Sequence, residues 1–322
     1  MKKFIFYILM SLIFFVYPSL TLADSTKTKG FTVSPPFQEV VVSKDQTKTS
    51  FFVEIANNGS LSQTLSLSIV DFGTLDESGG VAFLGSKLSD WQKKYGLASW
   101  VSIEKDIVII APKSSEKINV TIDNKDSLSP GGHYAGLMGT LITDALSGKN
   151  TVGISQVFAS LIFAKKIGGE KYDLLLNRAD LNNFYPLKIP DEVKLRFQNR
   201  GNVHVTPRGT VTITDPFKRI VASGVINPES AIIIPESFRV YPVVVRAISP
   251  VFVPGRYTMT VQYRYDGKDS FSKVQYSLYF FGLFSIIAGF VILGLLLLFL
   301  NLLRKLLVTK HRHEDKAKKV TP

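Results

Sequence analysis

The sequence predicts an all-β protein: two tandem Ig-like β-sandwich domains, preceded by a signal peptide and followed by one transmembrane helix. Three observations predict it. Apolar and polar residues alternate with period two in several short runs between the ends. Gly, Pro and Asn clusters punctuate those runs. An uncharged apolar stretch lies near each end of the 322 residues.

The N-terminal stretch has three parts. Lys2 and Lys3 supply positive charge, Phe4 to Val16 is uncharged, and Thr21-Leu22-Ala23 supplies small residues at an exit. This order describes a secretory signal peptide, residues 1–23, cut between Ala23 and Asp24. An uncleaved anchor is the competing reading. The apolar run is short of the ~20 residues that span a bilayer.

Residues 24–167 are expected to form the first sandwich. Phe31 to Ser43 begins it, and Pro35-Pro36 removes two ladder donors from that strand. Such a pair fits a strand that crosses from one sheet to the other. Leu65, Leu67 and Ile69 share one face, as do Ile118, Val120 and Ile122. The segment Ser89 to Gly96 departs from period two. Leu88, Trp91 and Tyr95 recur at spacings of three and four, so a short helix is expected, capped by Ser89 or Asp90 and ended by Gly96. Its aromatics either cover a sheet edge or bind a ligand. Trp91 and Tyr95 are the candidate binding residues, as rings suited to stacking on sugars or covering a protein. The loops Gly73 to Gly96 and Asp144 to Thr151 are the largest additions to this unit.

The basic and small segment Lys165 to Lys171 marks the boundary, and residues 168–277 are expected to form the second sandwich. Val193, Leu195 and Phe197 alternate with Lys194, Arg196 and Gln198, and Tyr257, Met259, Val261 and Tyr263 alternate with polar neighbours. Two signals occur once in each unit. A strand ends in Asn-x-Gly (Asn57-Asn58-Gly59 and Asn199-Arg200-Gly201). A Pro-Gly turn precedes a late strand (Pro130-Gly131 and Pro254-Gly255).

Leu278 to Leu303 carries no charge and is long enough to span a bilayer, with Tyr276 and Tyr279 at its entry. Arg304 and Lys305 follow, then Lys310, Arg312, Lys316, Lys318 and Lys319 against only Glu314 and Asp315. The positive-inside rule puts residues 304–322 in the cytoplasm and the sandwiches outside. These end clusters explain much of the net charge of +12. The middle is only mildly basic, which gives no reason to expect nucleic acid as a partner.

The combination of Phe31-x-Val-x-Pro35, Ile55-Ala-Asn-Asn-Gly59, Ile110-Ala-Pro112 and Pro130-Gly-Gly-His-Tyr134 with a second sandwich and one membrane helix resembles the bacterial WxL-interacting surface proteins. The resemblance implies a membrane-anchored protein whose first domain meets peptidoglycan and whose second meets host or matrix proteins. It implies no binding residue.

The chemistry that would mark an enzyme is missing from the sequence. There is no Cys, hence no thiolate-bound metal and no cysteine nucleophile. Phosphate-binding, zinc-protease and nucleophile-elbow motifs are absent. His133 and His204 are the His residues outside the tail, and each reads as a strand residue. Asp71, Asp76 and Glu77 around Gly73 lack the spacing of an EF-hand and read as a solvated turn. Two functions are therefore expected, both without cofactor or metal. One is a surface protein that binds wall polymer or another envelope protein. The alternative is an assembly factor that completes a secreted partner's sheet by strand addition.

Overall fold

The computed structural model describes residues 30–85, 89–142, 157–181 and 186–318. The expected cleavage site at Ala23 and Asp24, and the loop Asp144 to Thr151, lie outside them.

The first strand divides at its prolines. β1 (Phe31–Ser34) and β2 (Phe37–Val42) are separated by Pro35-Pro36 and enter different sheets. β1 joins β3 (Lys48–Asn57), followed by β8 (Ser115–Asp123) and β6 (Val101–Ile103), in a four-stranded sheet. β2 joins β10 (Val157–Lys166), which pairs β9 (Gly131–Leu141). β9 pairs β4 (Gln63–Thr74), whose far side takes β5 (Val81–Phe83) and β7 (Ile107–Ile110). The two inner faces meet in a core containing Val53, Ile55, Leu65, Ile118, Val120, Ile122, Leu137 and Ile162. The period-two assignment at β8 holds: Ile118, Val120 and Ile122 are buried, while the intervening Asn119 and Thr121 are partly exposed.

The second sandwich packs a sheet of β11 (Leu174–Leu181), β12 (Glu192–Asn199) and β15 (Phe238–Val244) on a five-stranded one. The latter runs β16 (Arg246–Ala247), β14 (Ile220–Ile226), β13 (Arg208–Thr214), β17 (Gly255–Arg264) and β18 (Ser272–Phe280). Its core includes Val193, Leu195, Phe197, Val211, Met259 and Val261. Among the described residues no strand of one unit pairs with a strand of the other.

The repeated Asn-x-Gly signal has the same cause in both units. Asn57 Nδ2 donates to the carbonyls of Ile110 and Leu61, and Gly59 N–H donates back to Asn57 Oδ1. Asn199 Nδ2 donates to Ile233 and Val203 carbonyls, and Gly201 N–H donates to Asn199 Oδ1. Each buried amide thus ties a turn carbonyl to a carbonyl of a distant segment, with its own hydrogen-bonding groups satisfied. The Pro-Gly signals open β9 and β17, where Gly131 and Gly255 take φ of +125° and +139°.

The C-terminal apolar run is not one helix. Leu278, Tyr279 and Phe280 are the last residues of β18, and the long helix α2 (Gly282–Lys318) follows, α1 being the short helix Asp90–Tyr95. The strand alternates Val274, Tyr276, Leu278 and Phe280 inward, and Phe280 stacks edge-on to Tyr257 at 4.8 Å. A membrane-length apolar span exists within α2, at Phe284–Leu306, so the expected start at Leu278 is corrected by six residues. Tyr276 faces the sandwich core and Tyr279 faces solvent.

Candidate functional site

The departure of β1 leaves the first half of β10 without a ladder partner on one side among the described residues. β10 pairs β9 along its whole length, from Val157↔Thr140 to Lys166↔Gly131. Its other side pairs β2 in parallel only from Leu161↔Phe37 onward. Leu161 N–H donates to Pro36 O, and Ile167 N–H donates to Val42 O, so odd-numbered amides face away from β9. Backbone groups alternate sides along a strand. Val157 and Ala159 therefore turn their N–H and C=O toward the side where, among the described residues, β10 has no ladder partner. The prolines cause this directly: a first strand bent at Pro35-Pro36 carries β1 into the opposite sheet. Phe31 and Phe158, 5.7 Å apart, line the open corner and are only partly buried.

The outward face of β10 continues into a groove between the two sandwiches. Phe37 and Leu161 line it on one side, Ile232, Phe238 and Arg239 on the other, with Val81 at its rim. Its volume is about 230 Å³. Gly79, at φ +99°, lies under Arg239, whose guanidinium occupies the place of a Cβ there. Arg239 Nη1 donates to Ile232 O at 2.7 Å. Phe37 is 53% exposed, so the wall nearest that half of β10 is apolar and open to water. Apolar side chains from an added strand would find contacts there.

Below the groove the units are joined by a buried hydrophobic cluster of Phe72, Tyr95, Tyr134 and Phe163 with Ile234. Tyr134 is its centre, with ring contacts to Phe72, Trp91, Phe163 and His204. Its hydroxyl lies 3.2 Å from His204 Nδ1, and burial pushes the phenol well above its usual pKa. α1 (Asp90–Tyr95) packs here. Ser89 Oγ caps it by accepting from Gln92 N–H, as the sequence suggested. Trp91 Nε1 donates to Pro235 O at 3.1 Å, and Tyr95 OH donates to Glu236 Oε1 at 3.1 Å. Burial, then the Glu236 charge, raises the Tyr95 pKa to about 12. The two candidate binding rings are thus engaged with the second sandwich instead of standing free at a loop tip.

The acidic cluster is divided among structural tasks. Buried Asp71 accepts from the amides of Leu97 and Ala98 and from Gln92 Nε2. Asp76 Oδ1 accepts from Ser78 N–H and Oγ–H. Glu77 reaches the other sandwich and receives two hydrogen bonds from Arg196, at 2.7 and 2.5 Å. Arg196 also lies 3.7 Å over the Phe238 ring, and Glu77 O accepts from Val240 N–H. His133 lies in β9 as expected, buried between the carbonyls of Ser129 and Gly96, and burial lowers its pKa. His204 precedes β13 in no strand, which corrects its assignment. Its Nε2 is 3.9 Å from Glu39 Oε2, and among the described residues neither His meets a Ser or Thr hydroxyl at hydrogen-bond distance.

The Glu77–Arg196 pair makes a testable pH dependence. The hydrogen bond from Arg196 is the largest cause holding the Glu77 carboxyl below the ordinary glutamate range. A depressed folded-state pKa contributes stability above the unfolded pKa, and that contribution is lost as pH falls through the folded one. Glu77→Gln is expected to lower the melting temperature by about 1–3 °C at pH 7, the size of one half-exposed ion pair. The gap to wild type should close as pH falls below 4.5. A gap that stays constant into acid would show that the pair does not hold the joint.

No family model matches the chain, and no curated protein matches it. Solved structures similar to it include a chaperone–tip adhesin complex of CFA/I fimbriae biogenesis. It is 11% identical over 77% of this chain and 98% of that one, with a TM-score of 0.42. The class 5 fimbriae chaperone CfaA is 11% identical over 76% and 98%, with a TM-score of 0.38. The CsuC–CsuE pre-assembly complex from Csu pili of Acinetobacter baumannii is 10% identical over 76% and 97%, at 0.35. The expected kinship with WxL-interacting surface proteins is thereby corrected, since the similar structures include fimbrial and periplasmic chaperones and no such surface protein is among those named. At these scores the likeness assigns no role to any residue.

Proposed function

We propose that this chain is a non-enzymatic, membrane-anchored assembly factor of the cell envelope. It holds an exported subunit by taking one of the subunit's strands onto the open half of β10. The observation that carries this reading is the backbone of Val157 and Ala159, whose N–H and C=O groups face the side on which, among the described residues, β10 has no ladder partner. Unpaired strand edges invite strand addition. Main-chain hydrogen bonds would supply affinity, and the neighbouring groove would select apolar side chains at alternate positions of the guest. α2 would keep the sandwiches at the membrane where exported subunits emerge, with the basic tail inside. Peptidoglycan binding, the other expectation, has no comparable support, because Trp91 and Tyr95 are engaged in the joint. Several of the similar solved structures are chaperones of fimbrial subunits. That likeness is of fold, and the proposal stands on the β10 edge.

Proline at position 159 tests it. The Ala159 N–H faces the open side, so proline there removes no bond to β9, and proline is tolerated on such edges. Cells expressing Ala159→Pro in place of wild type should keep normal levels of the chain yet lose the exported subunit to proteolysis. Unchanged subunit levels alongside normal Ala159→Pro levels would reject strand addition at β10.

A further inference from the structure

We infer that the end of the second sandwich from which α2 leaves is a lipid-contacting surface that rests in the headgroup layer. The inference rests on the reading of α2 as a membrane span.

The strand passes into the helix without a linker. β18 ends at Phe280, Phe281 N–H donates to Pro186 O at 2.8 Å, and α2 begins at Gly282. Gly282, at φ +65°, packs against the backbone carbonyls of Phe252 and Val251, which a Cβ would crowd at 3.0 and 3.2 Å. The helix start is therefore fixed to two loops of the sandwich. The apolar span starts at Phe284, about 3 Å further along the axis at 1.5 Å per residue. A helix held this way brings that end of the sandwich to the bilayer surface.

The same end displays side chains suited to that position. Phe217 is 67% exposed, Phe252 61% and Phe281 61%. Phe217 belongs here because its hairpin turn joins β13 to β14, and Pro216 packs against Gly255, the register partner of Phe280. The turn is rigid: Asp215 Oδ1 accepts from the amides of Phe217 and Arg219, and Asp215 Oδ2 accepts from Arg219 Nε. Arg219 thus neutralises Asp215, while Lys218 at the tip and Arg256, the register partner of Tyr279, add positive charge. Three exposed phenyl rings with basic neighbours, at the mouth of a membrane span, match the interfacial zone, where rings sit among headgroups and cations meet lipid phosphates. Tyr279, exposed on the outer face of β18, adds an aromatic with a polar tip.

The chain has no Cys, so single cysteines can report depth without background. Full-length Phe217→Cys, Phe252→Cys, Leu295→Cys and Thr32→Cys would each carry an environment-sensitive fluorophore. They would be reconstituted in phosphatidylethanolamine–phosphatidylglycerol vesicles with phosphatidylcholine nitroxide-labelled high on the acyl chain. Labels at 217 and 252 should shift to the blue and lose most of their emission, like the label at 295, while the label at 32 stays bright. A quenched label at 295 with bright labels at 217 and 252 would overturn the contact surface and leave the span intact. A bright label at 295 would overturn both. All replaced side chains are exposed, so folding does not confound the result.

Discussion

A fragment of residues 24–281 is expected to melt as one cooperative unit, whereas one ending at Ser277 should lose the second sandwich. The truncation removes Leu278 and Phe280, both buried, and with them the ladder pairs Tyr257↔Leu278 and Gly255↔Phe280. Deleting two large core side chains costs roughly 5 kcal/mol or more. That approaches the whole stability of an ordinary domain, about 5–15 kcal/mol. Circular dichroism melts of both fragments decide it. Equal melting temperatures would show that β18 ends before Leu278. An uncharged run by itself suggests the opposite boundary, because Leu278 and Phe280 look the same in a strand core as in a membrane. Only their alternation with Ser277 and Tyr279 separates the two cases.

Replacing Val120 with aspartate is expected to unfold the first sandwich at room temperature. Val120 is fully buried in β8, flanked by Phe51 of β3 and Ile103 of β6. A carboxylate there has no partner, and such burial falls among the exceptional losses above about 4 kcal/mol. Asn119→Asp, one residue away on the outer face, should cost about 1 kcal/mol or less. Urea titrations of both variants give the comparison. A larger loss at Asn119 would place the strand out of register by one, since a one-residue slip exchanges the faces.

Features that satisfy a local rule were legible in the sequence. β8, β12 and β17 follow from alternation, α1 from aromatic spacing with Ser89 or Asp90 as its cap, and the sheet crossing from Pro35-Pro36. The likeness to WxL-interacting proteins failed because its motifs answer to needs of sandwiches in general. Asn57 and Asn199 bridge strand ends, and Gly131 and Gly255 supply positive φ at strand starts. Such turns recur wherever those geometries do.

The joint and the open edge depend on tertiary placement. Glu77 and Arg196 lie far apart in the chain, and nothing local pairs them. The run Val157 to Ala164 did hold a signal. Both of its parities are apolar, which fits a strand covered on two faces. Its inner face fills the first core through Ile162 and Ala164, and its outer face meets the joint through Leu161 and Phe163.

A photo-crosslinking amino acid at position 159, compared with one at exposed Ser102 on the opposite sheet, tests strand addition most directly. In intact cells the probe at 159 should form one major adduct with an exported protein. Mass spectrometry should map that adduct to a single segment with alternating apolar residues, and position 102 should give none. Equal adducts at both positions, no adduct at 159, or crosslinks scattered over the partner's surface would contradict a guest strand on β10.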